Sequence, residues 1–191
     1  MNPHIVVIAK NPIIGKVKTR LAKAIGNAKT LEVYQALLTH TETILKQSGI
    51  PYTIHFDDKQ KGKTLGEKLV NAFIKFNKTN SPIIFIGSDF PFLNTELLNS
   101  TKAKLKTNDY VIGPTLDGGY YLIGLKKQPE KVFTNISWST NLVLKETLKI
   151  IKESKYSLLP TYYDIDTIDE LNKFIQENNT FELAKKLSNI L

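Results

Sequence analysis

The chain has no cysteine, one methionine and one tryptophan among its 191 residues. Without thiols it can form no disulfide, no thiolate metal site and no cysteine nucleophile, which suits a reducing compartment. No apolar run approaches the roughly 18 residues needed to span a bilayer, and the first residues lack the charged-then-apolar layout of a secretory signal. The expectation is a cytoplasmic protein without membrane insertion. Histidine is scarce as well: His4, His40 and His55 are dispersed, and no pair has helix-type metal spacing. No internal repeat, low-complexity tract or linker divides the chain. With 41% hydrophobic residues it can bury one substantial core, so a single domain over residues 1–191 is expected.

Charge is the first positive signal. Lysine and arginine total 26 against 18 acidic residues, a net charge of +8. Nucleic acid, an anionic membrane or phosphorylated small molecules would each suit that excess. Much of it lies as scattered lysines on helical stretches, where a solvated face accounts for it. A nucleic-acid module should interleave basic residues with exposed aromatics or carry a reading element, and neither is found.

Two periodicities alternate along the chain. Short apolar runs, partly β-branched and bounded by Pro, Gly or polar residues, occur at Ile5–Ala9, Ile54–Phe56, Ile83–Gly87, Tyr110–Gly113 and Tyr120–Leu125, and they read as buried strands. Helical spacing occurs near Leu31–Gln47, Leu65–Phe76, Thr95–Lys106, Thr140–Glu153 and Ile168–Gln176. Asn94 is placed to cap the third of these, and Thr167 with Glu170 has capping-box spacing before the last. Strand then helix, repeated, predicts an α/β fold with a mostly parallel sheet sandwiched by helices.

In such folds ligands sit outside the carboxyl ends of the strands. The loop after the first strand contains Pro12 and Gly15 and carries Lys10, Lys16, Lys18 and Arg20. After the third run comes GSDFP with Asp89, and after the fourth comes GPTLDGGYYLIG with Asp117, Gly118, Gly119 and Tyr120. Near the C-terminus, Asp164 and Asp166 stand two apart in an extended segment, which would point them to one face. Each feature has an ordinary alternative: solvated surface, a turn former before proline, a hairpin turn, a helix-entry residue. Together they place a cationic loop and separated carboxylates at strand ends, as a nucleotide–metal complex requires. Lysine and arginine neutralise phosphate, backbone N–H groups of a Gly-containing loop approach it closely, and Mg2+ takes hard carboxylate oxygens.

The ordered motifs AK-x-P-x-x-G-x-x-KTRL, GSDFP, GP-x-x-DGGYYLIGL, ISWST and DIDT-x-x-EL resemble the bacterial DUF2064 family, a radical-SAM/selenodomain-associated transferase family with a glycosyltransferase-A-like fold. That family is similar to cofactor guanylyltransferases and nucleotide-diphospho-sugar transferases. The resemblance runs from Ile5 to Leu171. It implies a nucleotide-binding loop including Ala9, Lys10, Gly15, Lys16 and Arg20, with Lys16 and Arg20 on phosphates and the Ala9–Lys10 main chain near the base. It also implies metal ligation of Mg2+ (or Mn2+) by Asp89 and Asp166, with Asp164 in reserve. Asp117, Gly118, Gly119 and Tyr120 would shape the acceptor pocket, and Trp138 either lines it or packs in the core. KTLGEKL, Lys63 to Leu69, departs from the family pattern, since Thr64 and Lys68 replace an acidic residue and an arginine.

The expected activity is metal-dependent nucleotidyl transfer from a nucleoside triphosphate to a small phosphorylated or hydroxyl acceptor, with Lys16 and Arg20 stabilising the leaving pyrophosphate. Glycosyl transfer from a nucleotide sugar, with Asp117 or another carboxylate as base toward the acceptor hydroxyl, is the alternative, and a non-catalytic nucleotide-binding protein the third.

Overall fold

The computed structural model describes residues 2–78 and 80–191. Six strands form one sheet: β1 His4–Ala9, β2 Tyr52–Phe56, β3 Ile83–Gly87, β4 Tyr110–Pro114, β5 Tyr120–Leu125 and β6 Tyr156–Leu158. Their order is β2-β1-β3-β5-β4-β6. β1 pairs in parallel with β2 and β3, and β4 with β6, while β5 runs antiparallel to both its neighbours. Five strands therefore share one direction, and the exception follows from the short 115–119 connection, which suffices to return an antiparallel strand but not a parallel one.

Alternation along the strands divides the core into two layers. Ile5, Val7, Ala9, Ile84, Ile86 and Leu122 pack on one face against Leu45, Leu98 and Leu105. These come from α2 (Asn27–Ser48) and α4 (Thr95–Thr107). Val6, Ile83, Phe85, Ile112 and Ile123 pack on the other against Leu69, Phe73, Phe133 and Ile151, from α3 (Leu65–Phe76), α5 (Pro129–Phe133) and α6 (Val143–Ile151). A third cluster joins Leu21 of α1 (Thr19–Ile25) and Leu37 to Ile165, Phe174 of α7 (Ile168–Glu177) and Leu187 of α8 (Glu182–Ser188). This cluster is what brings the C-terminal segment back to the first loop. Among the described residues no helix is long and apolar enough to cross a membrane.

The helix starts follow local chemistry. Asn94 accepts from the Leu97 N–H at 2.8 Å, and Thr167 with Glu170 forms a reciprocal capping box. Thr64, at the divergent segment, caps α3 by accepting from the Glu67 N–H at 3.2 Å. Helical pattern expected from Thr140 begins only at Val143, because residues 137–142 form a turn: the Ser137 N–H and hydroxyl donate to Glu146, and Ser139 adopts a left-handed φ of 64°. α1, α5, α8 and β6 were not legible from periodicity. With lengths of 7, 5, 7 and 3 residues, they are too short to display two turns or a clear alternation.

Candidate active site at the strand ends

Polar side chains gather where β1, β3 and β4 end and β5 begins. A first cleft of ≈ 530 Å³ lies between the loop after β1, the end of β3 and the start of α3. Its wall is fixed by Tyr34 of α2. The Tyr34 hydroxyl accepts from the Lys10 N–H at 3.0 Å, donates to the Lys10 carbonyl at 2.8 Å, and lies 3.1 Å from Ser88 Oγ. Gln60 donates to the Ala9 carbonyl at 3.0 Å and the His55 carbonyl at 2.7 Å. The main-chain groups expected beside a nucleotide base are thus already engaged, and Gln60 is the side chain that faces the cleft there.

Lys18 organises the floor. Its side chain is 3% exposed, and its ammonium donates to Asp89 Oδ2 at 3.1 Å, to Asp166 Oδ1 at 3.2 Å and to the Ile165 carbonyl. All three donors are used. Burial disfavours the ammonium, but Asp89 and Asp166 overcome it and raise the Lys18 pKa above its ordinary value. Burial likewise pushes the Asp166 carboxyl upward, yet Lys18 and Arg20 outweigh it and hold Asp166 below the usual range. Arg20, 68% exposed, pairs with Asp166 Oδ2.

The carboxylates are positioned by their neighbours. Phe90, following Asp89, is fully buried and stacks on Tyr121 at 3.9 Å between centroids, an anchor worth about 1.5–3 kcal/mol in burial alone. Asp166 is held by its own N–H, which donates to Glu170 Oε2 at 2.8 Å. Between the two aspartates of the DID segment, Ile165 enters the third core cluster and its N–H reaches the Asp89 carbonyl at 3.4 Å.

A second cleft of ≈ 490 Å³ adjoins the first, and Ile8, Arg20 and Leu65 line both. Asp117, Gly119, Tyr120, Trp138, Asn141 and Asp164 are among its walls. The turn that carries Asp117 is self-supporting: Asp117 Oδ1 accepts from the Thr115 hydroxyl at 2.5 Å and from the Gly119 N–H at 3.0 Å. Gly118 has φ +87°, and a Cβ there would stand 2.2 Å from the Asn141 carbonyl oxygen, so only glycine lets the turn lie against the 137–142 segment. Trp138 is half-buried, edge-on to Tyr120 with centroids 6.3 Å apart. Asp164 ends this cleft. Its Oδ1 is buried with no hydrogen-bond partner. Burial, then the nearby charge of Asp89, raises its carboxyl well above the ordinary value, against the opposing pull of Lys18.

Of the residues expected at the site, Ala9, Lys10, Arg20, Asp89 and Asp166 line the first cleft, and Asp117, Gly119, Tyr120, Trp138 and Asp164 line the second. Gly15 and Lys16 do not. They sit on the exposed Pro12–Lys16 turn, closed by the Lys16 N–H on the Ile13 carbonyl at 3.0 Å, and line neither cleft. Gly118 also stays behind the second cleft, with its carbonyl accepting from the Leu144 N–H at 2.8 Å. Sequence reasoning passed over Tyr34 and Gln60 and named Lys18 and Lys68 without giving either a role in the site; all four line the first cleft.

Asp89 and Asp166 converge on one cation position, which Lys18 holds. Two carboxylates of this hardness, with phosphate and water, match what a magnesium ion takes. Among the described residues no group of three or more His, Asp or Glu side chains is arranged to hold a metal ion. Lys18 occupies the position between them, so a divalent ion held by these carboxylates would have to take the oxygens that Lys18 does not, Asp89 Oδ1 and, in exchange for Arg20, Asp166 Oδ2.

With this geometry in hand, comparison with known proteins is informative. The model of the family described as an uncharacterized protein conserved in bacteria, DUF2064, matches residues 19–140. No curated protein matches the chain in sequence. Among solved structures, a candidate nucleotide-diphospho-sugar transferase from Desulfovibrio desulfuricans is 27% identical with a TM-score of 0.88, covering 99% of this chain and 95% of that one. A cytidylyltransferase from Leptospira borgpetersenii is 14% identical with a TM-score of 0.54, covering 100% of this chain and 94% of its own, and at that identity it shows a shared fold alone.

Proposed function

The chain belongs to the DUF2064 family, and from that premise we propose that it is a transferase that takes a nucleotide donor in the first cleft and a small acceptor in the second. The observation that carries this reading is the convergence of Asp89 and Asp166 on a single cation position beside a cleft lined by Lys10, Arg20 and Lys68. The D. desulfuricans structure, described as a nucleotide-diphospho-sugar transferase candidate, supports the same class.

The reaction assigned is nucleotidyl transfer, in which an acceptor oxygen bonds to the α-phosphorus and pyrophosphate departs. Catalysis of this kind rests on positioning and charge neutralisation rather than on a covalent intermediate. A divalent ion held by Asp89 and Asp166 would supply Lewis-acid neutralisation of the phosphate oxygens. Arg20, Lys10 and Lys68 meet the phosphate charge from the protein side, the role expected of Lys16 passing to the cations that line the cleft. Lys18 keeps the two carboxylates aligned, and Gln60 is placed to meet the base. Asp117 and Asp164 are the two carboxyls on the wall of the acceptor cleft. Glycosyl transfer is the second reading, favoured by the description of the D. desulfuricans relative.

Arg20→Ala tests the donor cleft. A screen of nucleoside triphosphates and nucleotide sugars with Mg2+, read by thermal shift, should stabilise the wild type by about 2.7 kcal/mol when ligand reaches 100 times its Kd. Arg20 lies on an exposed pair, so its removal should change unliganded stability by less than about 1 kcal/mol. Loss of a charge-assisted bond to phosphate should weaken nucleotide binding about tenfold or more. A variant that unfolds, or that binds nucleotide as the wild type does, contradicts the assignment.

A further inference from the structure

The second cleft differs in charge from the protein that contains it. The chain carries +8 overall, yet the charged residues lining this cleft are Arg20, Asp117 and Asp164, and Arg20 is already paired with Asp166. Its inner end is Asp164, whose buried Oδ1 has no partner. A buried oxygen left in that state is costly, and a ligand hydroxyl would supply the missing donor. Trp138 and Tyr120 add an apolar wall, and Ser139, Thr140 and Asn141 add neutral hydrogen-bonding groups. A mostly apolar wall with a few convergent polar groups is how small-molecule sites fix orientation.

We propose that the second cleft takes the acceptor as an uncharged, hydroxyl-rich molecule, a polyol or a glycoside, with Asp164 receiving one of its hydroxyls, and that it rejects phosphorylated acceptors. This rests on the reading of the cleft as the acceptor side of a nucleotide-dependent transferase, and narrows it. Phosphate on the acceptor would face the exposed Asp117 carboxylate, and Arg20, the one cationic side chain on this wall, is shared with Asp166 and with the donor phosphates, so no further cation meets it. Discrimination arises from the missing cation as much as from the contacts made.

Saturation-transfer NMR on the full chain tests this with two matched pairs: methyl glucoside against glucose 1-phosphate, and myo-inositol against inositol 1-phosphate. At least one uncharged probe should bind, at least tenfold more tightly than its phosphorylated partner. Asp164→Ala should narrow that ratio by at least fivefold, because it removes the oxygen that receives the hydroxyl of the uncharged probe. Trp138→Ala should weaken the uncharged probe while leaving the rejection of phosphate in place. Equal or tighter binding of the phosphorylated partners overturns the proposal, as does failure of both uncharged probes to bind. Nucleotide binding measured in the same samples separates the two claims. If nucleotides bind and the uncharged probes do not, only the acceptor inference falls; if no nucleotide binds, the donor reading falls.

Discussion

Replacing Lys18 by methionine lowers the free energy of unfolding by about 3 kcal/mol at neutral pH. Methionine keeps the length and apolar stem of the side chain, so the loss isolates the ammonium. Breaking a buried ion pair typically costs 3–5 kcal/mol, and the lower end applies because the carboxylates of Asp89 and Asp166 keep 35% and 33% of their exposure. For a domain of this size that corresponds to a fall of roughly 6–12 °C in Tm. The dependence on pH has a definite sign. In the wild type, Asp166 is held below its usual range, so its stabilisation is present above about pH 4 and is lost as pH falls through the folded value. In the variant, Asp164 and Asp166 lose the ammonium that opposed the rise of their folded pKa values, and only Arg20 remains, on Asp166. Such groups stabilise at low pH and cease to do so as pH rises through the folded values. The gap between the two proteins should therefore be small near pH 4 and widen toward neutrality. Chemical denaturation at both pH values checks it, and a variant as stable as wild type at pH 7 would remove Lys18 from the organising role.

Asp89→Asn should uncouple metal from nucleotide. The amide oxygen can still accept from Lys18, and Phe90 remains buried against Tyr121, so the fold is kept. What is lost is one of two formal charges at the shared cation position. Removing a partner that merely orients a metal ligand costs 10–100-fold in affinity, and removing a ligand should cost at least about a hundredfold, or ~2.7 kcal/mol. Isothermal titration with Mg2+ and nucleotide, repeated with the metal chelated, should show a large magnesium-dependent increment in the wild type and almost none in the variant. An unchanged increment would contradict the placement of the metal on Asp89.

How much of this was legible in the sequence depends on the distance over which each feature is encoded. The strands are local: β3 and β5 were delimited at Ile83–Gly87 and Tyr120–Leu125 because apolar runs stop at polar or glycine boundaries. α3 was equally clear at Leu65–Phe76 from its apolar spacing, and the structure adds Thr64 as its cap. The strand-end rule then pointed to Asp89, Asp117, Asp164 and Asp166 without knowledge of their contacts. Lys18 could not be picked out. Four cations crowd the first loop, and what turns one of them inward is a left-handed backbone at Lys18, φ 42°, on a residue with no glycine-like or asparagine-like signature. Its partners lie 71 and 148 residues away. Lys16 was assigned to phosphate through the family resemblance, but the turn that Gly15 permits, φ +73°, leaves Lys16 on its exposed side. The engagement of Ala9 and Lys10 by Gln60 and Tyr34 is likewise a product of packing between distant elements, as is the division of Asp164 and Asp166 between two clefts.

The measurement that bears most directly on the central claim is a paired calorimetric titration of a nucleoside triphosphate and the corresponding nucleotide sugar, each with Mg2+. In nucleotidyl transfer the departing group is pyrophosphate, so a third phosphate has a place among Arg20, Lys10 and Lys68. In glycosyl transfer the nucleoside diphosphate departs intact and that place is not needed. The triphosphate should bind at least tenfold more tightly than the sugar, a difference of about 1.4 kcal/mol. Tighter binding of the nucleotide sugar would move the assignment to glycosyl transfer, and binding of neither would contradict the account of the cleft as a nucleotide site.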